Sequence, residues 1–378
     1  MKKKKKIKII RVVVGLNQGG VQQMILNLFK GLDKDCFEPV ALAIENSGAI
    51  GKDIEREGFR VINLGLKRGS LSFIKIIWEL QKVFWKERPH IVHGSSYYPS
   101  TYSRVAAKLA GVPVLISHEH SVFKTKRPKR QIISNIISRF TDMHIAVSKS
   151  VKNQVIKWYK IPESKVTVIY NGVDTGLFRR IKSIEQAKEE INISSDIFVV
   201  GYVGRLDPGK GHQYLFEAVG KIKEKYNIRC VVVGTGRHEN DIKELAEKSG
   251  VSGITDFLGL RRNVADLLSA MDVFVLPSFQ EGFSNALIEA MAMECPVIAS
   301  DIPGNDEAFI NGKQGIFVQP GNSSALADAI EQLYKDKESR LKISVEARKS
   351  IEEQFSIKKH VEKMENLYLN LLKKKGLV

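Results

Sequence analysis

At 378 residues, with 43% apolar and 27% charged side chains, the chain has enough material for two domains with separate cores, which excludes a disordered polymer. Three distant cysteines, Cys36, Cys230 and Cys295, exclude a disulfide framework and predict a reduced compartment. No apolar run reaches about 18 residues, so no segment reads as a membrane span. The formal charge of +17 is uneven: residues 1–170 hold 31 Lys/Arg against 12 Asp/Glu, and the remainder 28 against 30.

Met1 and the five lysines behind it look like the basic start of a signal peptide. The segment that follows, Ile7-Lys-Ile-Ile-Arg-Val-Val-Val-Gly15, is broken by charge and runs into Leu-Asn-Gln-Gly-Gly. That is a first strand entering a glycine loop, not a cleavable apolar core. Further strands are predicted near 38–44, 60–64, 90–93, 113–117 and 143–147. Helices are predicted near 20–31, 50–57, 71–87, 99–110, 129–139 and 149–158. A strand from Val166 ends in the turn Asn171-Gly172 and marks the boundary between domains at 1–170 and 171–356. Beyond it come strands near 198–203, 229–233, 255–258, 272–276, 296–299 and 315–318. This alternation predicts two parallel α/β sheets, each binding ligands beyond its strands' carboxyl ends. Two such sheets facing each other would place the site in an interdomain cleft.

The excess positive charge predicts an anionic partner for the first half alone. It is concentrated at residues 2–6, 67–68 and 124–130, and the last cluster leads into Ile132, Ile133, Ile136 and Ile137. That amphipathic pattern fits a helix lying on lipid, or equally one packed on its own domain. Nucleic-acid binding would call for aromatics among the basic clusters, and only Phe123 adjoins this one, so no nucleic acid is expected. Asp33-Lys-Asp35 falls between a helix and a strand and reads as surface, not as a metal motif.

The strongest chemical signal is Glu281-Gly-Phe-Ser-Asn-Ala-Leu-Ile-Glu289. An apolar strand ends at Pro277-Ser278, and good helix formers run from Asn285 to Met293. Glu281 is therefore expected on a strand-to-helix loop, Ser284 at the N-cap, and Glu289 a turn inside. Free N–H groups at the helix start suit a phosphate, and the two carboxylates suit hydroxyls, although an ordinary helix start with a solvated acid has the same local pattern. Other loops add to it. Gly201-Tyr-Val-Gly204-Arg205-Leu-Asp-Pro-Gly-Lys210-Gly carries two cations that would stabilise a departing pyrophosphate. Val231-Val-Val-Gly234-Thr-Gly236 brings a strand into Gly-x-Gly without the third glycine of a dinucleotide fingerprint. Phe257-Leu-Gly259-Leu260-Arg261 offers backbone groups to a base.

As an ordered set spanning nearly the whole chain, these residues resemble family 4 of the retaining glycosyltransferases with the GT-B fold. The set comprises Gly15 to Val21, Asn171-Gly-Val-Asp174 with Phe178, Gly204-Arg205 with Lys210-Gly211, Gly234-Thr-Gly236, Phe257-Leu-Gly259, Leu276-Pro-Ser278 and Glu281 through Ala292. The resemblance implies two Rossmann-like domains facing across a cleft, with residues 357–378 forming a final helix that crosses back to the first domain. The first domain would bind the acceptor and the second a nucleoside-diphosphate sugar. Arg205 and Lys210 would hold the diphosphate and Glu281 the sugar hydroxyls. The amides of Gly282, Phe283 and Ser284, beside Asn285, would reach sugar and phosphates, and Glu289 would bind the ribose. Gly19 and Gly20 would let backbone approach the ligand. The family also places a histidine near the transferred sugar. Here His118-Glu119-His120 offers two, and His120 fits the common Glu-His pattern better.

The implied reaction is sugar transfer to a hydroxyl with retained anomeric configuration, with no metal and no cofactor beyond the donor. His118-x-His120 shows no third ligand for a metal. A glycan or lipid-linked acceptor of the cell envelope would suit the basic half, on a cytoplasmic protein peripheral to the inner membrane face. A nucleotide-sugar hydrolase or epimerase, and a non-catalytic nucleotide-sugar binder, remain as alternatives. A phosphorylase would need a pyridoxal-binding lysine that the sequence does not declare.

Overall fold

The computed structural model describes residues 6–67, 72–121 and 127–378. Residues 2–5, Arg68 and residues 124–126 of the basic clusters lie outside it. The chain divides into two compact units: Met1–Gly172 with Ile357–Val378, and Val173–Ser356.

The first unit holds β1 (Ile7–Gly15), β2 (Phe37–Asn46), β3 (Arg60–Asn63), β4 (Ile91–Ser95), β5 (Val114–Glu119), β6 (Met143–Ala146) and β7 (Val166–Val168). They form one parallel sheet among the described residues, in the order β3-β2-β1-β4-β5-β6-β7. Its helices are α1 (Gly20–Gly31), α2 (Gly48–Arg56), α3 (Ser72–Glu87), α4 (Tyr97–Leu109), α5 (Pro128–Ser138) and α6 (Lys149–Tyr159). Strand β1 is central and covered on both faces, which is why it reads as an almost unbroken apolar run. Right-handed crossovers put α1 and α2 on one face and α3 onward on the other. The cores agree: Ile25, Phe29 and Ile54 pack with Ile9 and Ile91, whereas Ile76, Leu80, Phe84 and Ala106 pack with Ile10 and Val92. Strand order reverses direction between β1 and β4.

The second unit holds β8 (Phe198–Val203), β9 (Ile228–Val233), β10 (Thr255–Gly259), β11 (Val273–Leu276), β12 (Val297–Ser300) and β13 (Ile316–Val318). All pair in parallel in the order β10-β9-β8-β11-β12-β13, with the reversal between β8 and β11. Its helices are α7 (Ile184–Glu190), α8 (His212–Ile222), α9 (Glu239–Lys248), α10 (Val264–Ser269), α11 (Asn285–Ala292), α12 (Ser323–Lys335) and α13 (Lys337–Ser350). Val173 N donates to Phe355 O at 2.8 Å where the chain enters and leaves this unit. Helix α14 (Ile357–Lys374) belongs to the first unit and buries Val361, Met364, Tyr368 and Leu372 in the same core as Ile9. No helix among the described residues is long and apolar enough to cross a membrane.

One expectation fails here. The sequence closed the fourth strand at residue 93. Strand β4 continues to Ser95, and His93 is a fully buried strand residue. Gly94-Ser95-Ser96 looks like a turn, but a Cβ on Gly94 would lie 2.4 Å from the Ser100 Cα. That glycine serves close packing of β4 on α4.

Candidate active site

In the second unit, loops gather where β8 and β11 part. Asp207 accepts from Gly209 N at 3.0 Å and starts a single 3-10 turn, Pro208–Lys210. Gly211 ends that turn at φ 71°, and a Cβ there would meet Pro277 O at 2.0 Å. Only glycine meets both demands, so the loop after β8 lies directly on the loop after β11. Phe279 N, donating to Gly209 O at 3.1 Å, ties them together. On the other side, a Cβ on Gly234 or Gly236 would meet the carbonyl of Gly204 or Leu206 at 1.8 Å. Leu206 N donates to Thr235 O at 3.0 Å, and Gly234 N to Gly259 O at 2.8 Å. The ends of four strands, β8, β9, β10 and β11, are thereby fixed backbone to backbone.

That scaffold brings Lys210 Nζ to 2.6 Å from Glu281 Oε1. Ser278 Oγ donates to the same oxygen at 2.7 Å. An ammonium has three donors, so Lys210 keeps capacity for an anion while holding Glu281. Arg205, with its side chain 70% exposed, stands 3.6 Å from Asp207. Ser284 caps α11 by accepting from Leu287 N. Gly282, Phe283 and Ser284 are buried, and Asn285 opens the helix. Glu289 lies on the next turn, and desolvation with no opposing cation among the described residues raises its carboxyl to about 7. Leu260 is exposed at the end of β10.

In the first unit, Gly19 is extended at φ 172° just before α1, which begins without a side-chain cap. His118 is the penultimate residue of β5, and His120 follows that strand. Their rings stack at 4.0 Å, and His93 continues the row 5.3 Å from His118. Arg11, the register partner of His93, donates to it at 2.7 Å and to Ser95 Oγ at 3.0 Å. Tyr368 Oη of α14 lies 2.8 Å from His93 Nδ1. Burial, reinforced by the Arg11 charge, holds His93 and His118 well below the usual imidazole range and His120 at about 3. All three are neutral at neutral pH; His93 is hydrogen-bonded to Arg11 and Tyr368, whereas both ring nitrogens of His118 and Nε2 of His120 are buried without a partner among the described residues. His118 is only 2% exposed, whereas His120 is partly exposed. Among the described residues, no cluster of three His, Cys, Asp or Glu side chains could hold a metal ion.

Sequence reasoning missed Ser278, Asp207 and the Arg11–His93–Tyr368 network. A signal for the last existed: Arg11 is a charge in the middle of an apolar strand, and a buried guanidinium needs partners.

Residues 18–177 match the family described as Glycosyltransferase Family 4, and residues 183–350 match Glycosyl transferases group 1. The capsular polysaccharide biosynthesis glycosyltransferase CapM of Staphylococcus aureus is 30% identical over 351 residues, covering 87% of this chain and 90% of CapM. The UDP-Gal:alpha-D-GlcNAc-diphosphoundecaprenol alpha-1,3-galactosyltransferase of Escherichia coli is 30% identical over 380 residues, covering 97% and 98%. Among solved structures, a glycosyltransferase of Rickettsia africae superposes with a TM-score of 0.84 at 25% identity, covering 97% of this chain and 99% of that one. Anabaena Alr3699/HepE, solved with UDP and glucose, shares the fold at a TM-score of 0.85 and 22% identity, covering 96% and 100%.

Proposed function

The chain belongs to the group 1 glycosyltransferases of the GT-B fold, which use nucleotide sugars, and from that premise we propose that it transfers its sugar to a hydroxyl with the anomeric configuration retained and without a metal ion. The observation that carries this reading is the Lys210–Glu281–Ser278 arrangement before α11. Both bonds end on Glu281 Oε1, so this carboxylate is held as a positioned acceptor for sugar hydroxyls through its other oxygen. A glutamate tied to a lysine makes a poor nucleophile, which favours a front-face route. The acceptor oxygen attacks the anomeric carbon as the bond to the diphosphate breaks, and the acceptor's proton passes to the departing phosphate oxygen. Lys210, Arg205 and the N–H groups of Gly282, Phe283 and Ser284 stabilise the charge that develops there.

Glu289 binds the ribose, while the backbone at Gly204, Gly234, Gly236, Gly259 and Leu260 borders the nucleotide. In the first unit, Gly19 and Gly20 receive phosphate or acceptor. His120, the more exposed of the two candidate histidines, bonds the transferred sugar as a neutral imidazole, and His118 supports it from behind by stacking. The excess of Lys and Arg in the first half, and a relative named for a diphosphoundecaprenol acceptor, support a lipid-linked or cell-envelope glycan as acceptor. They also support peripheral binding at the anionic inner membrane face.

The direct test is a thermal-shift screen with UDP-, GDP-, ADP- and dTDP-sugars, since a ligand that binds the native state raises its melting temperature. One donor is expected to stabilise the wild type and to lose its effect in Lys210→Ala. Stabilisation by none of them would overturn the assignment. Donor turnover with no acceptor present would favour a hydrolase.

A further inference from the structure

Helix α3 carries a second apolar face that its own unit does not bury. Ile76, Leu80 and Phe84 point into the core, but Ile74 is 63% exposed and Trp78 and Trp85 are 50% exposed each. At about 100° per residue these three fall within about 40° of one another, and Lys75, Lys82 and Lys86 follow about 80–120° round the helix. The acids of α3 offset only Lys82, so Lys75 and Lys86 carry the net charge of this face. Glu87 is buried against Arg60 and Lys8, and Glu79 pairs with Lys82 at 3.0 Å. An ordinary surface helix turns a polar face outward.

The connections that place α3 on one face of the sheet carry α4 and α5 into the same layer. On α5, Ile132, Ile133 and Ile136 are exposed, next to exposed Arg127 and Lys129. Tryptophan has a large apolar ring with a single N–H donor, a combination that concentrates at the headgroup level of bilayers. An apolar stripe beside lysines is the pattern of a helix lying in that interface.

We propose that α3 and α5 together form the docking face for an anionic bilayer, with Trp78 and Trp85 seated among the headgroups. This rests on the peripheral-membrane reading above and names the surface that performs it. A second copy of the chain fits less well, because a two-fold contact sets the same patch against itself and brings these cations against their own copies. A negatively charged lipid surface attracts every one of them.

The chain has three tryptophans, so Trp158→Phe leaves Trp78 and Trp85 as the reporters. With vesicles of one part phosphatidylglycerol to two parts phosphatidylcholine, their emission is expected to shift to the blue and to be quenched by brominated acyl chains. Trp78→Gln with Trp85→Gln is expected to weaken binding to the same vesicles about tenfold or more, and salt to weaken it further. Transfer to a water-soluble acceptor is expected to persist in that variant, which shows that it folds. Undiminished vesicle binding in the double variant, or emission that ignores the vesicles, would overturn the proposal. So would a dimer in gel filtration that the double variant dissolves. Vesicle binding is measured without donor or acceptor, so failure to find a lipid-linked acceptor would count against the proposed substrate and leave the docking face standing.

Discussion

The ribose contact proposed for Glu289 would give donor binding a pH dependence whose size follows from that residue's surroundings. Its carboxyl is held at about 7 by burial without a compensating cation. A ribose offers two hydroxyl donors, and an ionised carboxylate is the form that accepts from both. Binding therefore selects the ionised state, and the apparent dissociation constant scales as 1 + 10^(pKa − pH). Between pH 8 and pH 6 that factor grows about tenfold, so the donor should bind about tenfold more weakly at pH 6. The donor's diphosphate diester keeps its charge across this range, and His120, at about 3, stays neutral. Calorimetric titration of the nucleotide sugar at pH 6, 7 and 8 measures the slope. Glu289→Gln should flatten it and weaken binding at pH 8 by about 10–100-fold, the worth of hydrogen bonds to a charged group. A flat profile in the wild type, or the same slope in the glutamine variant, would refute the reasoning.

Lys210→Ala and Arg205→Ala should each lower kcat about 100-fold or more, as losses of charge-stabilising groups do. Arg205, being mostly exposed, should change unfolding free energy by less than about 0.5 kcal/mol; a large drop in its denaturation midpoint would contradict its placement. Gly211→Ala should cost about 2 kcal/mol or more in a urea melt, because its φ of 71° and the Pro277 carbonyl both exclude a Cβ; an unchanged midpoint would show that the two loops do not meet. Acid should destabilise the fold before most carboxylates titrate. Burial lowers His212 and His360 to about 4, so above about pH 6.5 folded and unfolded states both hold them neutral. As pH falls from about 6.5 to 4 the unfolded state gains their protons first, and stability drops by up to about 3 kcal/mol for each. Denaturation midpoints equal at pH 7 and pH 5 would contradict that.

The fold was legible because most buried strands are apolar runs, several closed by a glycine or proline turn, and most helices repeat their apolar residues on one face. The cradle in the second unit was legible for a related reason: Ser284 capping α11 and Glu289 one turn on are fixed by near neighbours in sequence. What escaped depends on long-range geometry. Lys210 meets Glu281 across 71 residues, and His93 meets Tyr368 across 275. Nothing local announces that Ser278 holds the carboxylate or that Arg11 is satisfied by a distant helix. The fourth strand was closed two residues early because Gly94 resembles a turn residue until Ser100 packs on it. The outward tryptophans of α3 were hidden by the helix's strong inner face, since periodicity cannot separate a doubly apolar helix from one buried all round.

Retention at the sugar tests the central claim most directly. Product formed from a single nucleotide sugar, read by the anomeric proton coupling in NMR, should keep the donor's configuration. An inverted product would show that the diphosphate leaves from the face opposite the incoming hydroxyl, and the account built on Lys210, Arg205 and a tethered Glu281 would fail.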